Sequence, residues 1–153
     1  MTAPTKAANS PFVATSGQLA TFRLDGDLYG VEVEHVQEVL KSQGLTRVPL
    51  APAAVAGLIN LRGQVVTAIE LRERLGRPPR PEGTDAVVIV VRLHGEAVSL
   101  LVDSIADVVD VDAADFEAPP DTLEGQARDL IRGAYKLDGK LLLALDVQKA
   151  VSA

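Results

Sequence analysis

The sequence predicts an all-β protein built of two similar small barrels, and three observations lead there. The chain repeats itself. Phe22-Arg23-Leu24-Asp25-Gly26 returns 69 residues later as Val91-Arg92-Leu93-His94-Gly95, and at the same offset Val31–Val39 matches Leu100–Val108, apolar on apolar and acid on acid. A later block, Gly57–Leu71, returns as Gly133–Val147 at an offset of 76, so the second half carries seven more residues between its two blocks. The turns also match: strand-like runs flank Asp25-Gly26, Arg62-Gly63, His94-Gly95 and Asp138-Gly139, where glycine supplies the positive φ of a tight hairpin. Finally, each half holds two hairpins and some connecting structure, about five short strands. That is too few for an open sandwich and enough for a closed barrel without exposed edges.

The elements follow in order. Residues 1–17, rich in Ala, Thr, Ser and Pro, read as a loose tail ahead of a folded region over 18–153. Pro52 suits the first position of a short helix that Gly57 would end. Glu70–Leu75 reads as a helical turn stopped by Gly76, and Arg77–Asp85, with three prolines, as a linker. Asp112–Arg128 is polar, contains Pro119-Pro120, and reads as a short helix and loop.

Composition narrows the function. The 153 residues are 47% hydrophobic and 24% charged, which is enough apolar material for a core. A net charge of −6 repels nucleic acid and anionic lipid, and three Phe, two Tyr and no Trp leave no platform for stacking bases. With no cysteine, disulfides and thiolate metal sites are out. Apolar runs such as Ala86–Val91 are too short to span a bilayer, and the N-terminus does not read as a signal peptide, so a cytoplasmic location is expected.

Catalytic patterns are missing as well. Neither phosphate-binding glycine pattern occurs, nor G-x-S-x-G, nor H-E-x-x-H. No cofactor is expected. His94 falls in a turn. His35 and Glu38 are spaced to share a helical face, but no third ligand stands nearby, so no metal site is assigned. Asp103, Asp107, Asp110, Asp112 and Asp115 lack the glycine and terminal Glu of a calcium loop and read as a solvated acidic face. Arg62, at a hairpin tip, reads from the residues alone as an exposed turn arginine. Val36, Ile105 and Val108 fit either core or docking surface.

Gly57–Val66 with Ile69-Glu70-Leu71-Arg72 is similar to the signature hairpin of CheW-like domains. Tyr29–Val33, Val36–Val39, Leu101-Val102-Asp103 and the closing Gly139–Val147 hairpin resemble that family too, and the likeness runs from about Gln18 to Val151. It implies two intertwined five-stranded SH3-like barrels related by a pseudo-two-fold, with a few short helices and a groove between them. It implies a non-catalytic adaptor of chemotaxis signal transduction, a scaffold in a two-component system that couples chemoreceptors to the histidine kinase CheA and is recruited to membrane receptor arrays. Receptor contact would fall on Val36, Glu38, Gly57, Arg62, Ser99, Ile105 and Val108, with Glu38 the natural partner of Arg62. Contact with the CheA regulatory domain would fall loosely near Val33 and Leu45. Thr67 stands where the family usually has Pro, and Ser99 and Ser104 where it often has Gly. Two alternatives stay open: a CheW-like coupler in a non-flagellar pathway such as surface motility or gene regulation, and a β-barrel metal or ligand sensor or enzyme using His35 and Glu38.

Overall fold

The computed structural model describes residues 17–41, 45–123 and 125–152; the expected loose tail over residues 1–16 lies outside them, and Gly17 already opens a strand. The first half contains β1 (Gly17–Leu24), β2 (Asp27–Glu32), a 3-10 turn over Val33–His35, β3 (Val36–Lys41), β4 (Leu45–Thr46), β5 (Val55–Leu61), β6 (Gln64–Glu70) and the one-turn helix α1 (Leu71–Arg74). The second contains β7 (Val87–Leu93), β8 (Glu96–Val102), β9 (Ser104–Val111), a 3-10 turn over Ala113–Asp115, β10 (Phe116–Glu117), α2 (Gly125–Leu130), β11 (Ile131–Leu137), β12 (Lys140–Leu145) and α3 (Val147–Val151). Valine and isoleucine dominate β7, which is buried over most of its length and favours extended backbone for that reason.

The strands form two six-stranded sheets, β10-β11-β12-β2-β1-β9 and β4-β5-β6-β8-β7-β3. Each has five longer strands, as expected, and one of two residues. Place for place the two orders are the same under the sequence repeat, but each sheet takes its β1–β2 or β7–β8 hairpin from the other half. The barrel holding β3–β6 is called here the N barrel and that holding β9–β12 the C barrel. The exchange is closed by two parallel ladders with matching register: Leu142, Leu143 and Ala144 against Leu28, Tyr29 and Gly30, and Thr67 and Ala68 against Val98 and Ser99. Bulges recur at equivalent places: between Val55 and Gly57 as between Ile131 and Gly133, and in the β1–β9 ladder between Ala20 and Phe22 as in the β3–β7 ladder between Val36 and Glu38.

One large core cluster fills the space between the barrels, with Phe22, Tyr29, Ile69, Ile89, Leu100 and Leu145 from both sheets. Smaller clusters fill each barrel, Ile59, Val66, Ala68 and Val88 in one and Tyr135, Leu142, Ala144 and Leu19 in the other. These four pairs are equivalent under the repeat. Gly57 and Gly133, also equivalent, answer one steric demand. A Cβ on Gly57 would stand 2.3 Å from the Thr46 carbonyl oxygen, and one on Gly133 2.3 Å from the Phe116 ring and 2.5 Å from the Glu117 carbonyl oxygen. The two-residue strands β4 and β10 cross β5 and β11 too closely for any side chain there.

The helix expected after Pro52 does not form. Val55 N–H closes a turn onto the Pro52 carbonyl at 2.9 Å, and β5 begins at once. Proline sets a turn here, and the pairing of β5 with β4 and β6 from Val55 on outweighs the helix-start signal. Helix α1 does form at Glu70–Leu75. Glu70 caps it by accepting from Arg72 N–H, as Asp146 caps α3 by accepting from Lys149 N–H.

Candidate functional site

Arg62 sits at the β5–β6 turn with φ 52°, in the left-handed region, and Gly63 follows at φ 88°. The Gly63 N–H donates to Asn60 Oδ1 at 2.8 Å, which fixes the turn. From that tip the Arg62 guanidinium forms a bidentate pair with Glu38 on β3, Nη1 to Oε2 at 2.7 Å and Nη2 to Oε1 at 2.6 Å. The two residues are far apart along the sheet, so the pair spans the mouth of the N barrel. Hydrogen bonds from Arg62 hold the Glu38 carboxyl below the ordinary carboxylate range. Arg62 remains 72% exposed and Glu38 18%, which leaves the outer face of the guanidinium open.

On β3, Val36 and Val39 fall in the rows of Val91 and Ile89, on the face opposite Glu38. Val36 is half-buried on the same strand, while Val39 and Val65 are 43% and 60% exposed. On the C barrel Ile105 and Val108 are 42% and 56% exposed along β9. Val36 and Ile105 are equivalent under the 69-residue repeat, and so are Val39 and Val108. Sequence reasoning selected three of these four and missed Val39, although the offset that aligns it with Val108 was already in hand. Val65 was missed because an apolar residue in a strand carries no mark of which face it takes.

Ser99 and Gly57 lie elsewhere. Paired residues across the N sheet run Glu38, Val90, Ser99, Ala68, Gly57 in one row. Glu38 ends that row at the rim, and the rest face the barrel interior, with Ser99 fully buried and its hydroxyl without a hydrogen-bond partner. The counterpart of Ser99 in the C barrel is Gly30, where Leu142 and Leu19 fill the space: a Cβ there would stand 3.1 Å from Leu142 Cδ1. Neither Ser99 nor Gly57 offers a side chain to a partner, so they bear on the surface only through barrel shape.

Val33 is half-buried in the first 3-10 turn. Leu45 is half-buried too, pairs with Ile59, and packs against the N-barrel core. The loop after it is more open. Val48 is 39% exposed, and Leu50 is fully exposed with φ 65°. Leucine rarely adopts that conformation, at a cost of about 1–2 kcal/mol. His35 and Glu38 share no helical face, because β3 begins between them. Glu32, Glu34 and His35 bring three ligand-type atoms within 4.8 Å, but Glu32 is already engaged by Arg132.

Asp103 stands between β8 and β9 and is gripped by Arg72, Nε to Oδ1 at 2.9 Å and Nη2 to Oδ2 at 2.6 Å. Burial, the largest influence, raises its pKa, but the hydrogen bonds from Arg72 and the Asp25 N–H, with the charges of Arg72 and Arg80, bring it down to about 2. A depressed folded-state value adds stability that is complete above the unfolded value near 3.8 and disappears as pH falls toward 2. The contribution is on the order of 2 kcal/mol. Acid unfolding between pH 4 and 2 should therefore be less steep in Asp103→Asn than in the parent. Identical acid-unfolding profiles would show that Asp103 is not ionised alone in that window.

Residues 18–153 match the CheW-like domain family. The chain belongs to the CheW-like family. It is 31% identical over 140 residues to the chemotaxis protein CheW of Treponema pallidum, covering 89% of this chain and 82% of that one. Likeness to CheW of Bacillus subtilis is 29% over 134 residues, 88% and 86% of the two chains. The crystal structure of the scaffolding protein TtCheW from Thermoanaerobacter tengcongensis superposes with a TM-score of 0.76 at 30% identity, over 86% of this chain and 90% of that chain. As a CheW-like chain the protein is a non-catalytic chemotaxis adaptor with two SH3-like barrels. No helix among the described residues is long and apolar enough to cross a membrane.

Proposed function

We propose that this CheW-like adaptor works in the cytoplasm and couples chemoreceptors to CheA through two faces. The receptor tip docks on the groove-side surface carrying Val36, Glu38, Val39 and Arg62 on the N barrel and Ile105 and Val108 on the C barrel. The observation that carries this reading is the exposed bidentate clamp of Arg62 and Glu38 at the rim of the N barrel, on strands that also expose Val39 and Val65. An arginine with an open guanidinium face has the make-up of an interface anchor.

The CheA regulatory domain docks beside Leu45, on the loop over residues 47–54. Support comes from Leu50, whose strained backbone and complete exposure have no use within the fold. Binding of the pure protein to an immobilised receptor cytoplasmic fragment and, separately, to the CheA regulatory domain tests both faces. Leu50→Gly removes the apolar side chain and the strain together. It should melt no lower than the parent, bind the receptor fragment equally well, and lose CheA affinity at least tenfold. Unchanged CheA affinity would reject the loop as that face, and failure of the parent to bind either partner would reject the coupling function.

A further inference from the structure

Two of the sequence blocks shared with the family, Glu70-Leu71-Arg72 and Leu101-Val102-Asp103, meet each other away from the receptor face, and the Glu70 N–H reaches the 47–54 loop at the Ala54 carbonyl, 2.8 Å away. Arg72 is only 7% exposed. Besides its bidentate grip on Asp103, its Nη1 donates to the Pro78 carbonyl at 2.8 Å. Asp103 Oδ2 also accepts the Asp25 backbone N–H at 2.8 Å, and its Oδ1 accepts from Arg80, which in turn holds Glu70 at 2.9 Å. Arg77 binds Asp25 at 3.3 Å, Asp27, and the Tyr29 hydroxyl at 3.0 Å.

Topology gives this network its meaning. Arg72 lies in α1, directly after β6 of the N barrel. Asp25 forms the β1–β2 turn of the C barrel. Asp103 is the single residue through which the chain passes from β8 in the N barrel to β9 in the C barrel. The carboxylate is thus bonded to both barrels at their crossing. The other crossing, from β2 to β3, has no such latch. There the equivalents of Asp103, Arg72 and Asp25 are Glu34, Gln148 and His94, and no hydrogen bond joins them among the described residues. The fold's two-fold symmetry is broken at this point.

We infer that Arg72 and Asp103 are positioning residues for receptor docking, holding β9 in a fixed relation to β3. The inference rests on the two-barrel receptor face proposed above. Ile105 lies two residues beyond Asp103, so the latch anchors the start of the strand that carries the C-barrel half of that face. Two half-sites on one rigid body bind a spanning partner with a high effective concentration, and that advantage goes when their spacing fluctuates. A partner held by the N barrel alone is indifferent to the spacing.

Arg72→Gln should therefore lower affinity for the receptor fragment tenfold or more and leave affinity for the CheA regulatory domain within twofold. Arg72→Lys should not restore the receptor, because an ammonium cannot make the planar double bond to a carboxylate. The chain has no cysteine, so spin labels placed at Glu96→Cys on the N barrel and Asp138→Cys on the C barrel report the spacing directly. The distance distribution should be narrow in the parent and broad in Arg72→Gln. If Arg72→Gln does not fold, Arg80→Gln removes an outer cation and should give the same split at smaller size. A distribution that stays narrow, or equal loss toward both partners, overturns the inference. If the parent itself fails to bind the receptor fragment, the docking reading has failed, and the label distances still decide whether the latch sets the spacing.

Discussion

Gly57→Ala and Gly133→Ala should each lower the melting temperature by roughly 10 °C, as the largest stability losses available from adding one methyl group. Each new Cβ would fall 2.3 Å from its nearest neighbour, a backbone carbonyl oxygen for Gly57 and the Phe116 ring for Gly133. Forcing extra volume into packed structure costs roughly 1–3 kcal/mol, and backbone yields less readily than a side-chain tip. At about 4 °C per kcal/mol for a domain of this size the upper end gives the stated shift. Gly26→Ala and Gly63→Ala are the controls. Both glycines have φ 88° but open space around them, so only the conformational cost of about 1 kcal/mol applies. Equal melting of all four variants would show that β4 and β10 move aside freely. The comparison also bears on Gly57 as a docking residue: any loss of binding there should arrive with loss of fold.

Arg62 should behave in the opposite way. Arg62→Ala removes an exposed side chain from a turn and should melt within a few degrees of the parent. Receptor affinity should fall tenfold or more, because an arginine desolvated at an interface is often a dominant contact. Arg62→Glu should be worse, since it sets a second carboxylate beside Glu38 where two hydrogen bonds of 2.6 and 2.7 Å now stand. Exchanging the charges, Arg62→Glu with Glu38→Arg, should recover part of the loss, and a double-mutant cycle on receptor affinity measures how much. Full affinity in Arg62→Ala would remove the clamp from the receptor face, as would parallel loss of receptor binding and melting temperature.

Much of the architecture was legible because it is written twice. The Gly26, Gly63, Gly95 and Gly139 turns come from local backbone chemistry, and a repeat of local chemistry is visible in one dimension. Pairing of Glu38 with Arg62 was legible only through the resemblance to CheW-like domains, since the residues alone give Arg62 as an exposed turn arginine. The hairpin exchange was a different matter. Exchanged and unexchanged barrels use the same strands and turns, and only the ladders that flank the exchanged hairpins, β1–β9 and β2–β12 in one sheet and β3–β7 and β6–β8 in the other, distinguish them. Ser99 was named for the receptor face by the resemblance alone, and its strand, buried over most of its length, gives no inward or outward sign by alternation. Arg72 carried no signal of its role, since its partner lies 31 residues away across a proline-rich segment that looks like a plain linker.

The exchanged hairpins also set the order in which this protein can be made. β1 and β2 are made before the other described strands, yet every strand they pair with outside their own hairpin, β9 and β12, is encoded beyond residue 103. Until then the nascent hairpin has no sheet to join, and a lone hairpin is barely stable in water. The N barrel, in contrast, is complete once β8 has emerged. Translation therefore finishes one barrel before the other and keeps β1 and β2 waiting for β9 and β12, so the slow, long-range step of folding comes last among these strands.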